Sequence, residues 1–251
     1  MMTNIVYIAL GSALGGVCRY LEKNGACPHS GKNGACPHSE MKAFLFDMDG
    51  VIVDNTPFHV KSWVAYSREL GNELTPDRIR ELLGLTNAGY LAAIFGREAT
   101  DEEVAQAVAR KESLYRELIR PHLREAMTPG LVGFLCEAER DGIPCAIVTG
   151  GPPENVDFVV DGLGIRRYFR TIVDATQYER GKPAPDCYLA CAARLGLDPR
   201  DCMVFEDAEA GIASALAAGM QVTAIATTHT PERLADFHPT RIWKSFVDSH
   251  E

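Results

Sequence analysis

From residue 41 onward the chain alternates short apolar runs with longer stretches of helical periodicity. The run at 42–46 (KAFLF) is almost continuously apolar, as expected of a strand buried on both faces. Similar runs recur at 144–148 (PCAIV), 171–173 (TIV), 202–205 (CMVF) and 221–225 (QVTAI). Helical patterns lie between them at 131–140, 154–163, 185–195 and 208–218. Strands alternating with helices predict βα units and a parallel sheet. Right-handed crossovers then give a doubly wound, three-layer α/β domain with its site at the C-terminal ends of the strands.

The stretch 56–127 breaks this alternation. It holds no strand pattern and shows helical periodicity at 58–70, 76–83, 88–95 and 101–118, with Thr75-Pro76 and Thr100-Asp101 as start signals. A helical insertion directly after the first strand sits over the active end of the sheet, where a lid belongs. The expected organisation is a leader and linker at 1–40, an α/β core at 41–55 and 128–251, and a helical cap at 56–127.

The leader has its own pattern. The apolar stretch 5–17 (IVYIALGSALGGV) has 13 residues, whereas a membrane-spanning helix needs roughly 20. MMTN in front of it supplies none of the basic residues of a secretory signal. The text NIVYIALGSALGGVCRY resembles the start of the first helix of the CrcB-type fluoride channel family, but nothing resembling the remaining helices follows. A fusion, a misplaced start or an appended leader accounts for it. The octapeptide KNGACPHS then occurs twice, at 23–30 and 32–39. It brings Cys27, His29, Cys36 and His38 together, but the spacing C-x-H-x6-C-x-H matches no structural zinc site, and a flexible duplicated linker is the expectation.

Composition narrows the class. Of 251 residues, 46% are hydrophobic and 24% charged, which excludes a disordered chain, a collagen-like repeat and a polytopic membrane protein. The formal charge of −9, from 34 acidic and 25 basic residues, offers no basic face for nucleic acid. Any phosphate ligand must therefore find local cations. The eight cysteines do not form the pattern of a secreted disulfide scaffold, and Cys136, Cys145, Cys187, Cys191 and Cys202 lie among apolar neighbours. The expectation is a cytoplasmic protein, monomeric or weakly dimeric, with a small-molecule ligand and no membrane partner for its core.

Candidate chemistry gathers at the ends of the predicted strands. Asp47 and Asp49 are two residues apart on an extended exit, so their side chains start on the same side, and Gly50 permits a tight turn behind them. One carboxylate can act as a nucleophile and the other as general acid and base. Two close carboxylates call for a hard cation, most simply Mg²⁺, and Glu206-Asp207 after CMVF completes an oxygen-rich site. Thr149-Gly150-Gly151, between a strand and a helix, offers a hydroxyl and backbone N–H groups to an anion. Lys182 supplies a compact cation before another helix. Taken singly, each feature has a plain alternative: a chance D-x-D-G, or an acidic pair capping a helix. Neither the G-x-x-x-x-G-K-[ST] nucleotide loop nor the G-x-S-x-G hydrolase elbow is present.

The segments FDMDGV at 46–51, VTGG at 148–151, GKPAPD at 181–186 and VFEDAEAG at 204–211 resemble, in order, the four signature motifs of the haloacid dehalogenase superfamily. The resemblance covers roughly residues 41–247, and the cap position resembles the subfamily of β-phosphoglucomutase and small sugar-phosphate phosphatases. It implies that Asp47 attacks phosphorus to form an aspartyl-phosphate, while Asp49 protonates the leaving oxygen and later activates water. It implies Mg²⁺ held by the Asp47 carboxylate, the Asp49 carbonyl and Asp207, with Glu206 in or near the coordination shell. Thr149 and Lys182 would bind the transferring phosphoryl oxygens. The presence of Asp49 argues against a true dehalogenase.

The resemblance also points to cap residues. His59 matches a histidine that helps position the acid–base carboxylate, the alternative being a polar hinge residue touching the core. Lys111 matches a lid lysine that reaches substrate, the alternative being a solvated position on a charged helix. Sugar phosphomutases of this type carry a lid Arg for the distal phosphate where this chain reads Gly84-Leu85-Thr86-Asn87. Asn87 is neutral and cannot replace a bidentate Arg–phosphate clamp. The expectation is a Mg²⁺-dependent phosphohydrolase acting on a small phosphorylated metabolite such as a sugar phosphate. The runner-up is a β-phosphoglucomutase; a non-enzymatic or membrane-accessory protein is the remote third reading. Cys187 and Cys191 are expected in the core, and Asp174 as a helix cap or a lid or substrate contact.

Overall fold

The computed structural model of the protein describes residues 41–82 and 86–250. The channel-like leader, the duplicated octapeptide with its Cys and His residues, and Leu83-Gly84-Leu85 lie outside the described residues. Met41–Glu251 forms one compact unit.

Six parallel strands make one sheet in the order β3-β2-β1-β4-β5-β6: β1 Ala43–Phe46, β2 Cys145–Val148, β3 Phe169–Val173, β4 Cys202–Glu206, β5 Gln221–Ile225 and β6 Arg241–Trp243. The chain builds outward from β1 to β3 on one side, then returns to β4 and builds outward on the other. The order therefore reverses between β1 and β4, and a crevice opens at their C-terminal ends. Phe46 is in register with Ile147 of β2 and Phe205 of β4, so the residues leaving all three strands emerge at one level.

Alternate residues of β1 serve opposite faces. Phe44 and Phe46 join an aromatic layer with Phe134, Phe205, Trp243 and Phe246, in which Phe46 and Phe205 stack at 4.8 Å. Ala43 and Leu45 face small side chains, among them Ala146, Ala215 and Ala224, together with Cys187 and Cys191. The helices that cover the sheet are α5 Leu131–Arg140, α6 Pro153–Leu163, α7 Asp186–Leu195, α8 Glu209–Ala217 and the short α9 Pro231–Ala235. Cys187 and Cys191 are fully buried and free, as their Ala-rich context predicts.

Between β1 and β2 come α1 Thr56–Glu69, α2 Pro76–Glu81, α3 Asn87–Phe95 and α4 Asp101–Ile119. Trp63, Tyr66, Ile79, Tyr90, Leu91 and Ile94 give them a separate apolar cluster. Thr75 caps α2 and Thr100 forms a capping box with Glu103, so both start signals act as the pattern indicates. Helix α4 serves both clusters: Ala107 and Leu114 pack in the helical one, Tyr115 and Ile119 under the sheet.

Three expectations are corrected. Strand β3 begins at Phe169 rather than Thr171, because the exposed Arg170 of this edge strand interrupts the apolar run without interrupting the ladder. Helix α9 and strand β6 were not predicted. Only three residues long, β6 is too short for periodicity to register, and it is held by Thr240 N–H donating to Val222 O and Ala226 N–H to Trp243 O. Asp174 caps no helix: it accepts from the Thr176 N–H and hydroxyl and from Gln177 Nε2.

Phe205 touches β1, α5 and the C-terminal segment through Phe46, Phe134 and Phe246. Phe205→Ala is expected to cost about 3–5 kcal/mol in denaturant unfolding; a loss below about 1 kcal/mol would mean that the aromatic layer does not hold the sheet together.

Candidate active site

Asp47 follows directly on the last residue of β1, and its N–H donates to Phe205 O, so it leaves the sheet as a continuation of the ladder. Gly50 closes the turn behind it at φ +81°, while Ile52 and Val53 N–H groups return to Met48 O. A Cβ on Gly50 would run into the Asp207 carboxylate, so the close approach of the β1 turn to the end of β4 requires glycine there. Gly211 meets the same demand from the Glu206 carboxylate.

Lys182 Nζ joins the two strand ends. It donates to Asp47 Oδ1 at 2.5 Å, to Glu206 Oε1 at 2.6 Å and to Val148 O at 3.3 Å. Glu206 Oε1 also accepts from Tyr188 at 2.7 Å, and Oε2 accepts from the Asp207 N–H at 3.1 Å. Asp47, Glu206 and Asp207 each turn one oxygen into a cluster whose atoms lie within 4.8 Å of one another. Three buried carboxylates against one ammonium leave an excess of negative charge, and an all-oxygen donor set suits a hard divalent cation. The residues present thus fit a metal ion. Thr228 donates to Asp207 Oδ2, and Thr227 donates to Gly50 O at 2.5 Å, so the loop after β5 ties both halves of the cluster.

Electrostatics separates the carboxylates. Burial pushes the Asp47 carboxyl well above its ordinary range, opposed by Lys182 and reinforced by Glu206 and Asp207. Asp207 is pushed up to about 8 by burial and by Glu206. Asp49 moves the opposite way: burial raises it, but the nearby His59 ring, the Asn55 donor and the charge of Lys111 outweigh that and lower it. Lys182 loses by burial and gains more from Asp47 and Glu206, so its ammonium is held well above the ordinary range.

Asp49 turns toward the helical segment. Asn55 Nδ2 donates to Asp49 Oδ1 at 2.5 Å and to the Tyr115 hydroxyl at 2.6 Å. Asn55 stands at the N-cap of α1 without capping it: its Nδ2 serves these two partners, and its buried Oδ1 accepts from no group. His59 stacks on Tyr115, with ring centroids 4.0 Å apart, and sets Nε2 at 3.7 Å from Asp49 Oδ1. Lys111 Nζ lies 2.8 Å from His59 Nδ1 and over the Trp63 ring. Lys111 is 4% exposed, which rules out a solvated helix position. The hydroxyl of Thr149 accepts from the Gly151 N–H at 3.0 Å at the mouth of α6.

Ten of the residues singled out from the sequence line one cavity of about 630 Å³: Asp47, Asp49, Thr149, Gly150, Lys182, Glu206 and Asp207 from the strand ends, and His59, Asn87 and Lys111 from the helical segment. The sequence reading missed Asn55, Tyr115, Tyr188 and Thr228. Asn55 before Thr-Pro reads as an ordinary helix cap. Tyr188 reads as a core position, and only the fold brings its hydroxyl to Glu206.

Residues 41–219 match the family model described as haloacid dehalogenase-like hydrolase. The chain is 36% identical to hexitol phosphatase A of Escherichia coli over 76% of its own length and 86% of the relative's. It is 34% identical to β-phosphoglucomutase of Bacillus subtilis over 72% and 81%. The crystal structure of a HAD hydrolase, family IA, variant 3, from Entamoeba histolytica superposes with a TM-score of 0.77 at 29% identity, covering 83% of this chain and 95% of that one.

The raised Asp207 carboxyl has a consequence for stability. In the unfolded chain it returns to about 4, so between about pH 4 and pH 8 the metal-free native state keeps a proton that the unfolded chain has released. Stability due to this group therefore falls as pH rises through that window. In chelator, Tm of the wild type is expected to drop more steeply from pH 6 to pH 8 than Tm of Asp207→Asn, and a divalent cation at pH 8 should raise only the former strongly. Parallel slopes in the two proteins would contradict this account of the buried cluster.

Proposed function

The chain belongs to the haloacid dehalogenase-like hydrolase family, and from that premise we propose that it is a Mg²⁺-dependent phosphohydrolase acting on a sugar phosphate through an aspartyl-phosphate on Asp47. The observation that carries the reading is the contrast between two carboxylates two residues apart. Asp47 is held by Lys182 within the acidic cluster, and Asp49 is held by Asn55 and faced by His59.

Asp47 Oδ2 attacks phosphorus while the bond to the leaving oxygen breaks. Asp49 gives its proton to that oxygen, and the incoming phosphate, by adding negative charge beside Asp49, favours the protonated form needed for this step. In the second step Asp49 takes a proton from water, which attacks the same phosphorus and frees Asp47. Lys182 and the Thr149 hydroxyl, with the N–H groups at the start of α6, bind the phosphoryl oxygens as charge grows on them. Asp47, Asp207 and the Asp49 backbone carbonyl would hold the metal. Glu206, whose oxygens already accept from Lys182, Tyr188 and Asp207 N–H, anchors the lysine beside it. A bound Mg²⁺ would withdraw charge from the phosphoryl group and keep Asp47 ionised at neutral pH.

Residues 56–127 act in this reading as the cap over a core of 41–55 and 128–251. Asn87 lines the cavity from α3 and supplies no charge to a second phosphate. Water is then the acceptor rather than the sugar, which favours hydrolysis over mutase chemistry. The β-phosphoglucomutase relative keeps the mutase as the second reading. Among the described residues no helix is long and apolar enough to cross a membrane, and the five described cysteines are free; a cytoplasmic setting is part of the proposal.

Phosphorus NMR with Mg²⁺ and β-glucose 1-phosphate, seeded with the 1,6-bisphosphate, separates the two readings. Inorganic phosphate is expected to grow, and a panel of glucose 6-phosphate, fructose 1-phosphate and sorbitol 6-phosphate then ranks substrates. Growth of glucose 6-phosphate instead would make the protein a mutase. Asp47→Asn should abolish turnover and Asp49→Asn should lower it by about 10²–10⁴-fold; activity unchanged in either variant would remove the mechanism.

A further inference from the structure

A buried run of side chains connects Asp49 to the core helix that follows the phosphate loop. His59 Nε2 faces Asp49 Oδ1, and Lys111 Nζ bridges His59 Nδ1 and Glu112 Oε1, the latter at 2.9 Å. Glu112 Oε2 accepts from Asn155 Nδ2 at 2.7 Å, and Asn155 Oδ1 accepts from Arg116 Nη1 at 2.6 Å. Glu112 is 8% exposed and Asn155 1% exposed. Glu112 and Arg116 are one turn apart on α4, at the point where that helix passes from the helical cluster to the sheet cluster. Asn155 is the third residue of α6, four residues beyond Gly151.

The donor and acceptor roles in this run are constrained. An ammonium can only donate, so Lys111 fixes His59 Nδ1 as an acceptor, and the neutral ring carries its proton on Nε2, the atom aimed at Asp49. His59 Nε2 has no hydrogen-bond partner, although it is buried. Stacking on Tyr115 fixes the plane of the ring but not which nitrogen bears the proton. That choice depends on Lys111, and the place of Lys111 depends on Glu112. A buried Glu would be costly without Asn155 on its second oxygen.

We propose that Glu112 and Asn155 are positioning residues for the acid step: through Lys111 they set the tautomer and aim of His59, which in turn presents Asp49 to the leaving oxygen. The inference rests on the reading of Asp49 as general acid. It makes proton delivery depend on a contact between α4 and the helix whose first turn follows Thr149-Gly150-Gly151, so the donor is in place only when those two elements are seated on each other. The proton passes from Asp49 to the leaving oxygen as the Asp47–phosphorus bond forms; Glu112 and Asn155 exchange none.

The test uses leaving groups that differ in their need for that proton. In the full chain with Mg²⁺, kcat/KM is measured for wild type, Asn155→Ala and Glu112→Ala. The substrates are the panel sugar phosphate that the wild type cleaves fastest, whose leaving alkoxide is strongly basic, and p-nitrophenyl phosphate, whose leaving phenolate is not. This parameter reports steps through cleavage of the ester bond, so hydrolysis of the common aspartyl-phosphate does not enter. Both variants are expected to lose about tenfold or more on the sugar phosphate and less than about threefold on the aryl ester, in the same sense as Asp49→Asn. The ratio of the two losses is independent of the folded fraction, so partial unfolding of a variant does not mask the result. Equal losses on the two substrates, or no loss on either, would overturn the inference while leaving the phosphatase reading intact. A wild type inactive on every phosphate monoester would overturn that reading, and this inference with it.

Discussion

The structure depends on crowding of negative charge at one point, the C-terminal ends of β1 and β4. Asp47, Glu206 and Asp207 are buried within reach of one another, and Lys182 is the ammonium that spans the two strand ends. Such an arrangement is unfavourable alone, since burial raises the Asp47 and Asp207 carboxyls and the charge of Glu206 raises both further. It persists because the sheet, with two covered faces and an aromatic layer under β1 and β4, fixes both strand ends in register. In the proposed reading that electrostatic demand is met by a divalent cation, which is how a stability cost becomes a binding site.

The helical segment solves a second problem. In the proposed mechanism a general acid beside a nucleophile of the same type must be kept electrostatically distinct from it. Here the separation is achieved by direction: Asp47 faces Lys182, while Asp49 turns to Asn55 and faces His59, both contributed by the start of α1. One short turn, closed by Gly50, thus sends two adjacent carboxylates into different surroundings.

Much of this was legible in the sequence because its signals are local. Unbroken apolar runs mark the buried parallel strands, Thr-Pro and Thr-Asp mark helix starts that do cap, and the acidic residues directly follow strands. The register that sets Phe46 against Phe205, and so Asp47 level with Glu206, was not local; alternation of strands and helices implies only the parallel pairing. What escaped was of two kinds. β6 is too short to show a period, and β3 is interrupted by Arg170. Asn55, Glu112, Asn155 and Tyr188 look like a cap, a surface acid, a helix residue and a core residue, and acquire other roles only through partners distant in sequence, up to 60 residues away for Asn55 and Tyr115. Side-chain hydrogen bonds between elements have no periodic trace.

The central claim is that Asp47 itself carries the phosphoryl group. Its most direct test is to quench turnover rapidly, reduce with borohydride, which converts an aspartyl-phosphate to homoserine, and map the product by mass spectrometry. The account predicts homoserine at position 47, dependent on substrate and Mg²⁺. Reduction at another residue, or a fully active enzyme from which no reducible acyl-phosphate is ever trapped, would contradict it.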